Sequence, residues 1–558
     1  MVMKLSALCA VLGLISASLA VAPQRGFDHK VRKTTISNRS IQKRGGTDPK
    51  LLYPAYNIRV PVDHFHNDSL YEPHSDEKFN LRYWFDATYY KDGGPVIVLQ
   101  GGEISGATRL RFLQKGLLHD LAVATNGIGV VLEHRYYGTS FPTQNLTTES
   151  LRFLTTDQAL ADQAYFAQNV VFAGLESKNL TAPNTAYLAY GGSYAGAFVA
   201  FLRKLYPDLY WGAISSSGVT EAIWDFWAYW EPIRWYADQQ CVEYIQKITD
   251  LVDNIIIRQN DSHTTKELKT AFGLPNVTYD DDFAYVLASA LEAWQSKNWN
   301  PEINDPSFDQ YCGNLTSPKP IYPASKGLSS TVKDLIRKGG YGSETEKLTT
   351  PILNWIGWLA LNSISDCEDT QDKCFGKHDR SSYEQDDISQ AWRSWPYQYC
   401  TQWGYLLTGS RPDDILPLVS RTIDVEYQSL ICKYAFNITT PPNVEAINKY
   451  GGFNISYPRL AIIDGEHDPW RAATPHASPF NSTAVNRTDT ISEPFFLIPG
   501  GVHHWDENGV FPNQTVNDPS DLLPPQAVRD IQAKEISFVR AWMAEWKLER
   551  ENNRQTDL

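Results

Sequence analysis

Short apolar runs recur along this chain, each bounded by glycine or other turn residues. Val96-Ile97-Val98-Leu99 lies between Gly93-Gly94-Pro95 and Gly101-Gly102, and residues 127–132, 186–190, 460–463 and 495–498 have the same form. Continuous rather than alternating hydrophobicity marks a strand buried on both faces. Helical periodicity fills the intervals, for example over 157–172 and 194–205. Strands alternating with helices predict a mostly parallel sheet covered on both sides, an α/β architecture. Near the C-terminus, Val528, Ile531, Ile536, Val539, Trp542, Met543 and Trp546 repeat at helical spacing and predict a packing helix.

The rhythm breaks between about 222 and 440. That stretch is rich in Trp, Tyr, Asn, Asp and Pro, and its periodicity is helical. It also contains Cys241, Cys312, Cys367, Cys374, Cys400 and Cys432, every cysteine except Cys9. Six cysteines allow three disulfides in fifteen connectivities, and without paired C-x-x-C units they do not read as a zinc site. The predicted organisation is an α/β core in two pieces, 45–221 and 441–558, interrupted by a mostly helical, disulfide-containing insertion over 222–440.

The first 44 residues read as processing signals. Lys4, the apolar run 5–19 and Ser18-Leu19-Ala20 form a secretory signal peptide over 1–20. Residues 21–44 are basic, Ser/Thr-rich and end in Lys43-Arg44, the form of a removable pro-segment. Residues 1–44 hold eight basic side chains and one acid, so the remainder carries a net charge of −21 against −14 for the whole chain. That balance excludes a partner that needs a basic face, such as nucleic acid. Beyond the signal, no apolar run approaches the ~18–20 residues that span a bilayer. Eleven Asn-x-Ser/Thr sequons after residue 44 fit a secreted glycoprotein, with an acidic vacuole-like compartment as the lesser alternative.

The chemistry centres on Leu188-Ala189-Tyr190-Gly191-Gly192-Ser193-Tyr194-Ala195-Gly196, an apolar strand entering a small-residue turn and then a helix. This is the context of a nucleophile elbow, although alanine stands at the +2 position where glycine is usual. A serine needs a histidine to take its proton and a carboxylate to orient that histidine. Candidates follow two later strands: Asp464-Gly465-Glu466-His467-Asp468-Pro469-Trp470 and Gly501-Val502-His503-His504-Trp505-Asp506. From the residues alone, the choice among the acids and between the two histidines stays open. His64 and His66 lack a third ligand, so neither a metal nor a cofactor is expected.

Taken together, Gly-Gly-Ser-Tyr-Ala-Gly, Asp468-Pro469-Trp470 and Gly501-Val502-His503 with Asp506 resemble the signatures of one serine peptidase family. It is the family of lysosomal Pro-X carboxypeptidase, dipeptidyl peptidase II and the fungal acid prolyl endopeptidases. Val62-Asp63-His64-Phe65, Gly101-Gly102-Glu103, 133–138 and 154–162 also fit, so the resemblance runs from about 60 to 545. It implies an α/β-hydrolase fold with an inserted helical cap. It makes Ser193 the nucleophile, Asp468 the orienting acid and His503 the base, since relatives often carry cysteine after that histidine. The Tyr194 N–H and a donor near Gly102 or Glu103 would form the oxyanion hole.

Trp470 would line an apolar pocket suited to a proline ring, and Glu103 could bind a substrate amine or simply be a solvated acid. The expected function is a secreted serine peptidase cutting on the carboxyl side of proline, exo- or endo-acting, with peptides as partners and a homodimer as an option. A secreted esterase or lipase on the same fold is the alternative, and a non-catalytic binding protein on a hydrolase scaffold the third reading. Glu133-His134-Arg135 reads as a structural cluster in which Arg135 ties loops through a buried ion pair.

Overall fold

The computed structural model describes residues 49–410, 412–511 and 523–556. The signal peptide, pro-segment, dibasic site and Asn513 sequon lie outside the described residues. Eight strands form one sheet: β1 (Tyr56–Pro61), β2 (Lys78–Asp86), β3 (Val96–Gln100), β4 (Ile128–Leu132), β5 (Tyr187–Gly192), β6 (Gly212–Ser216), β9 (Leu460–Gly465) and β10 (Phe495–Ile498). A separate small pair, β7 (Ile223–Asp225) and β8 (Gly404–Leu406), lies outside it. The order across the main sheet is β1-β2-β4-β3-β5-β6-β9-β10. β2 runs antiparallel to both β1 and β4, and every other neighbouring pair is parallel. An antiparallel second strand beside the crossed-over β4-β3 pair, with the parallel strands after it, is the arrangement of the α/β-hydrolase fold.

The five strands expected from apolar runs are present, and three more were not foreseen. In β2, Lys78, Asn80 and Arg82 alternate with Phe79, Leu81 and Tyr83, a half-buried pattern that leaves no continuous run. β6 reads Gly-Ala-Ile-Ser-Ser, fully buried yet with one large apolar side chain, because its neighbours crowd it. A Cβ at Gly212 would lie 2.8 Å from the Trp542 ring.

Alternation along β3 explains the two-sided core. Val96 and Val98 join a cluster with Phe198, Phe201 and Leu160, whereas Ile97 and Leu99 face Leu117, Val528 and Trp542. The helix Tyr194–Leu205 packs on one face. On the other lies Gln526–Thr556, whose Val528, Ile531, Val539, Trp542 and Met543 are buried as their spacing requires. Each such side chain withdrawn from water contributes about 1.5–3 kcal/mol.

Residues between β6 and β9 are predominantly helical and carry three disulfides: Cys241–Cys312, Cys367–Cys374 and Cys400–Cys432. Cys241–Cys312 ties helix Gln239–Asp253 to helix Ser307–Leu315 across 71 residues of sequence. A loop of that length gives about 4 kcal/mol of restriction to the unfolded chain. Replacing both cysteines by alanine is therefore expected to lower unfolding free energy by that order, read from denaturant titrations. An unchanged midpoint would contradict this.

Candidate active site

The site forms where neighbouring strands end. Ser193 follows β5 directly, Asp468 lies three residues beyond β9, and His503 lies five beyond β10. Loops at the carboxyl ends of parallel strands converge, which is why α/β proteins place chemistry there.

Ser193 occupies a sharp turn at φ 61°, ψ −128°, a backbone region that non-glycine residues rarely enter. Its N–H donates to the Ser216 carbonyl at 2.9 Å, and its carbonyl accepts from Gly196 and Ala197 as the helix starts. Crowding explains the glycines. A Cβ at Gly191 would sit 2.3 Å from the Ala195 carbonyl oxygen, and one at Gly196 would sit 2.7 Å from that of Ser216. A Cβ added at Gly102, by contrast, would meet the Ala195 methyl at 3.7 Å, an ordinary contact. The Tyr194 N–H, first in the helix, has no acceptor among the described residues, as expected for the opening turn of a helix.

His503 and His504 diverge. Nδ1 of His503 meets Asp468 Oδ2 at 2.8 Å, while its Nε2 has no hydrogen-bond partner among the described residues although the side chain is buried. His504 turns the other way. Its Nδ1 faces Glu507 Oε2 at 3.1 Å, its N–H donates to Ser217 Oγ, and its ring lies 3.1 Å from where a Gly192 Cβ would be. The histidine loop thus leans on the elbow through His504 and presents His503 to Asp468.

The other acids of the β9 loop are engaged elsewhere. Asp464 bonds His476 Nδ1 at 2.6 Å, and Glu466 accepts the Gly500 N–H at 2.9 Å. Asp468, fully buried, accepts the Trp470 N–H on Oδ1 and faces His503 with Oδ2. In this arrangement the aspartate fixes which imidazole nitrogen carries hydrogen and leaves Nε2 able to accept a proton.

A cavity opens beside Ser193. Glu103, Trp470, Tyr229, Trp230 and Tyr405 stand in its wall. Trp470 is held by an indole N–H bond to Gln295 at 2.7 Å and by ring contacts with Tyr229 and Tyr405 at 5.2 and 5.1 Å. Burial pushes the Glu103 carboxyl above the usual carboxylate range. The Gly102 N–H donates to the Gln100 side-chain oxygen, so this candidate oxyanion donor is engaged within its own turn. Tyr229, Trp230 and Tyr405 were not singled out from the sequence. Their one signal was the aromatic richness of 222–440, since they meet only through the tertiary fold.

The 133–138 segment is structural scaffolding. Arg135, fully buried, grips Asp162 with two bonds of 2.6 Å and donates to the Val62 and Phe153 carbonyls. His134 Nε2 contacts the Tyr194 hydroxyl at 2.9 Å, and burial holds its pKa down at about 4, so it is a neutral partner. Gln398, from the inserted region, donates to the same hydroxyl at 3.0 Å. His64 is bonded to Asp162 at 2.8 Å.

Comparison with known proteins places this geometry in a family. Residues 61–517 match the family model described as serine carboxypeptidase S28. The chain belongs to the serine carboxypeptidase S28 family. It is a serine-type peptidase, for which peptides are the substrates. A "Probable extracellular serine carboxypeptidase" of Arthroderma benhamiae is 50% identical over 547 residues, covering 97% of this chain and 74% of that protein. "Serine protease vicPb" of Bipolaris victoriae is 28% identical over 523 residues, covering 90% of this chain and 91% of its own. "Lysosomal Pro-X carboxypeptidase" of Bos taurus is 25% identical over 504 residues, covering 89% of each chain. No helix among the described residues of this S28 peptidase is long and apolar enough to cross a membrane.

Proposed function

We propose that this S28 peptidase hydrolyses peptide bonds on the carboxyl side of proline, through an acyl-enzyme on Ser193, outside the cell. The observation that carries the reading is His503, anchored by Asp468 with Nε2 unpaired, on a loop packed against the Ser193 elbow. His503 takes the Ser193 proton as Oγ attacks the scissile carbonyl, and Asp468 stabilises the imidazolium that forms. The proton then passes to the leaving amine. Water, deprotonated by the same nitrogen, releases the acyl group and restores Ser193.

Negative charge on the tetrahedral oxygen needs donors aimed at it. The Tyr194 N–H supplies one, and the Gly102–Glu103 turn supplies the second once the Gly102 N–H leaves the Gln100 side chain. Trp470, Tyr229 and Tyr405 offer flat apolar faces, which match a pyrrolidine ring better than a charged side chain. The name of the bovine relative, a Pro-X carboxypeptidase, supports proline at the cleaved bond. The name of the Arthroderma relative supports an extracellular site.

The test uses the purified mature protein on an amino-blocked and a free-amine proline peptide near pH 4–5, with cut sites located by mass spectrometry. Cleavage after proline is expected, and its dependence on a free amino terminus separates dipeptidyl from endo-action. Turnover of a simple ester with both peptides left intact would overturn the reading in favour of an esterase.

A further inference from the structure

Behind the elbow lies a group of ionisable side chains that the proposed reaction does not use. Asp506 is fully buried three residues after His503. Its Oδ1 accepts from Ser216 Oγ on β6, and its Oδ2 accepts from the Tyr190 hydroxyl on β5 at 3.1 Å. Ser216 also supplies the carbonyl that receives the Ser193 N–H, and Tyr190 lies three residues before the nucleophile. On the far side, Gln532 of helix Gln526–Thr556 donates to the carbonyls of Asp506 and Asn508 at 2.7 and 2.9 Å.

Glu535, one turn further along the helix from which Gln532 reaches the Asp506 turn, is completely buried. No donor among the described residues reaches either oxygen of Glu535. The basic groups of this region bear mainly on Glu507, although His504 also acts on Asp506. Arg109 and His504 sit against Glu507, at 3.6 and 3.1 Å, and Arg111 adds its charge to that carboxylate. Tyr190 brings only a neutral hydroxyl to the pair, and Ser216 and Gln532 are uncharged.

We infer that Asp506 and Glu535 share one proton and act as a positioning pair, holding the His503 loop against the two strands that carry the Ser193 elbow. Two neighbouring carboxylates in a dry interior cannot both ionise without a cation between them. With one proton kept, Glu535 donates to Asp506 in a charge-assisted hydrogen bond. When the proton leaves to solvent the two repel, and the turn bearing Asp506, and His503 with it, is driven from β5 and β6. Burial agrees with this by pushing Asp506 up to about 6 and Glu535 well above the usual carboxylate range. Glu507 contrasts with them. Burial opposes its ionisation too, but Arg109 and His504 outweigh it and hold the group at about 2.

The sign follows from linkage. A carboxyl whose folded-state pKa is raised keeps its proton longer folded than unfolded, so its stabilisation is complete at about pH 4 and declines as pH rises through about 6 and beyond. The experiment is thermal unfolding of the full mature protein from pH 4.5 to 8, for the wild type, Glu535→Gln and Ser193→Ala. Glutamine can donate to Asp506 at every pH, so Glu535→Gln should lose less melting temperature than the wild type between those limits. Its alkaline limb of kcat/KM should also move up by about one pH unit. Ser193→Ala should follow the wild-type melting curve, and since melting needs no turnover, failure of this inference is separable from failure of the peptidase reading on which it rests. Parallel curves for wild type and Glu535→Gln would overturn the inference. Should Glu535→Gln not fold, infrared spectroscopy of the wild type decides: a buried carboxylic-acid carbonyl band that persists at pH 6 and above, beyond the usual carboxylate range, supports the pair, and no such band overturns it.

Discussion

Ser193→Ala is expected to lower kcat/KM for a proline peptide by about 10⁴- to 10⁶-fold while leaving the melting temperature within a degree or two of wild type. The size of the loss follows from the chemistry. Without Oγ there is no acyl-enzyme, and what remains is water attack on a substrate held near the Tyr194 N–H. The small structural effect follows from the site. Ser193 makes its bonds to Ser216, Gly196 and Ala197 through its backbone, and its side chain caps nothing in the helix that follows. Stopped assays with active-site titration of the wild type would give the ratio. A loss below tenfold would remove Ser193 from the mechanism.

Asp468→Asn should cost about 10⁴-fold in kcat, with a much smaller change in KM. An asparagine fits the space and can keep a bond to the Trp470 N–H, so the loop persists. Its carboxamide can nevertheless present N–H where Oδ2 stood, which favours the imidazole tautomer with hydrogen on Nε2. That tautomer cannot accept the Ser193 proton. The imidazolium also loses the buried charge that stabilised it, so the deficit should persist across the pH range. A deficit below about tenfold would instead remove Asp468 from the mechanism.

Much of the architecture was legible because the central strands are buried on both faces. β3, β4, β5 and β9 each show a continuous apolar run, and such runs have few other uses in a chain with this much charge. The edge strand β1 and its neighbour β2 were missed because half of each faces outward, and β6 because small residues replace large ones where Trp542 and the elbow press on it. The loops bearing Ser193, Asp468 and His503 could be found because each lies within a few residues of such a strand. Choosing Asp468 over Asp464, or His503 over His504, depends on where side chains point, which local sequence does not encode. Of the aromatic wall only Trp470 was legible, since Tyr229 and Tyr405 come from distant stretches and meet it through the fold. Glu535 did leave a trace. It lies four residues after Ile531 and three before Phe538, so an acid interrupts the apolar stripe of an otherwise ordinary helix.

The order in which the chain is made gives the layout a further meaning. β6 gains its second parallel neighbour only when β9 arrives, after the whole helical region has been synthesised. Helix Gln526–Thr556, which backs the His503 loop, emerges after every strand of the sheet. A nascent or truncated chain can therefore carry the serine of this peptidase without a completed catalytic centre. By that order, a chain that stops before β9 would hold the proposed nucleophile yet show no peptidase activity.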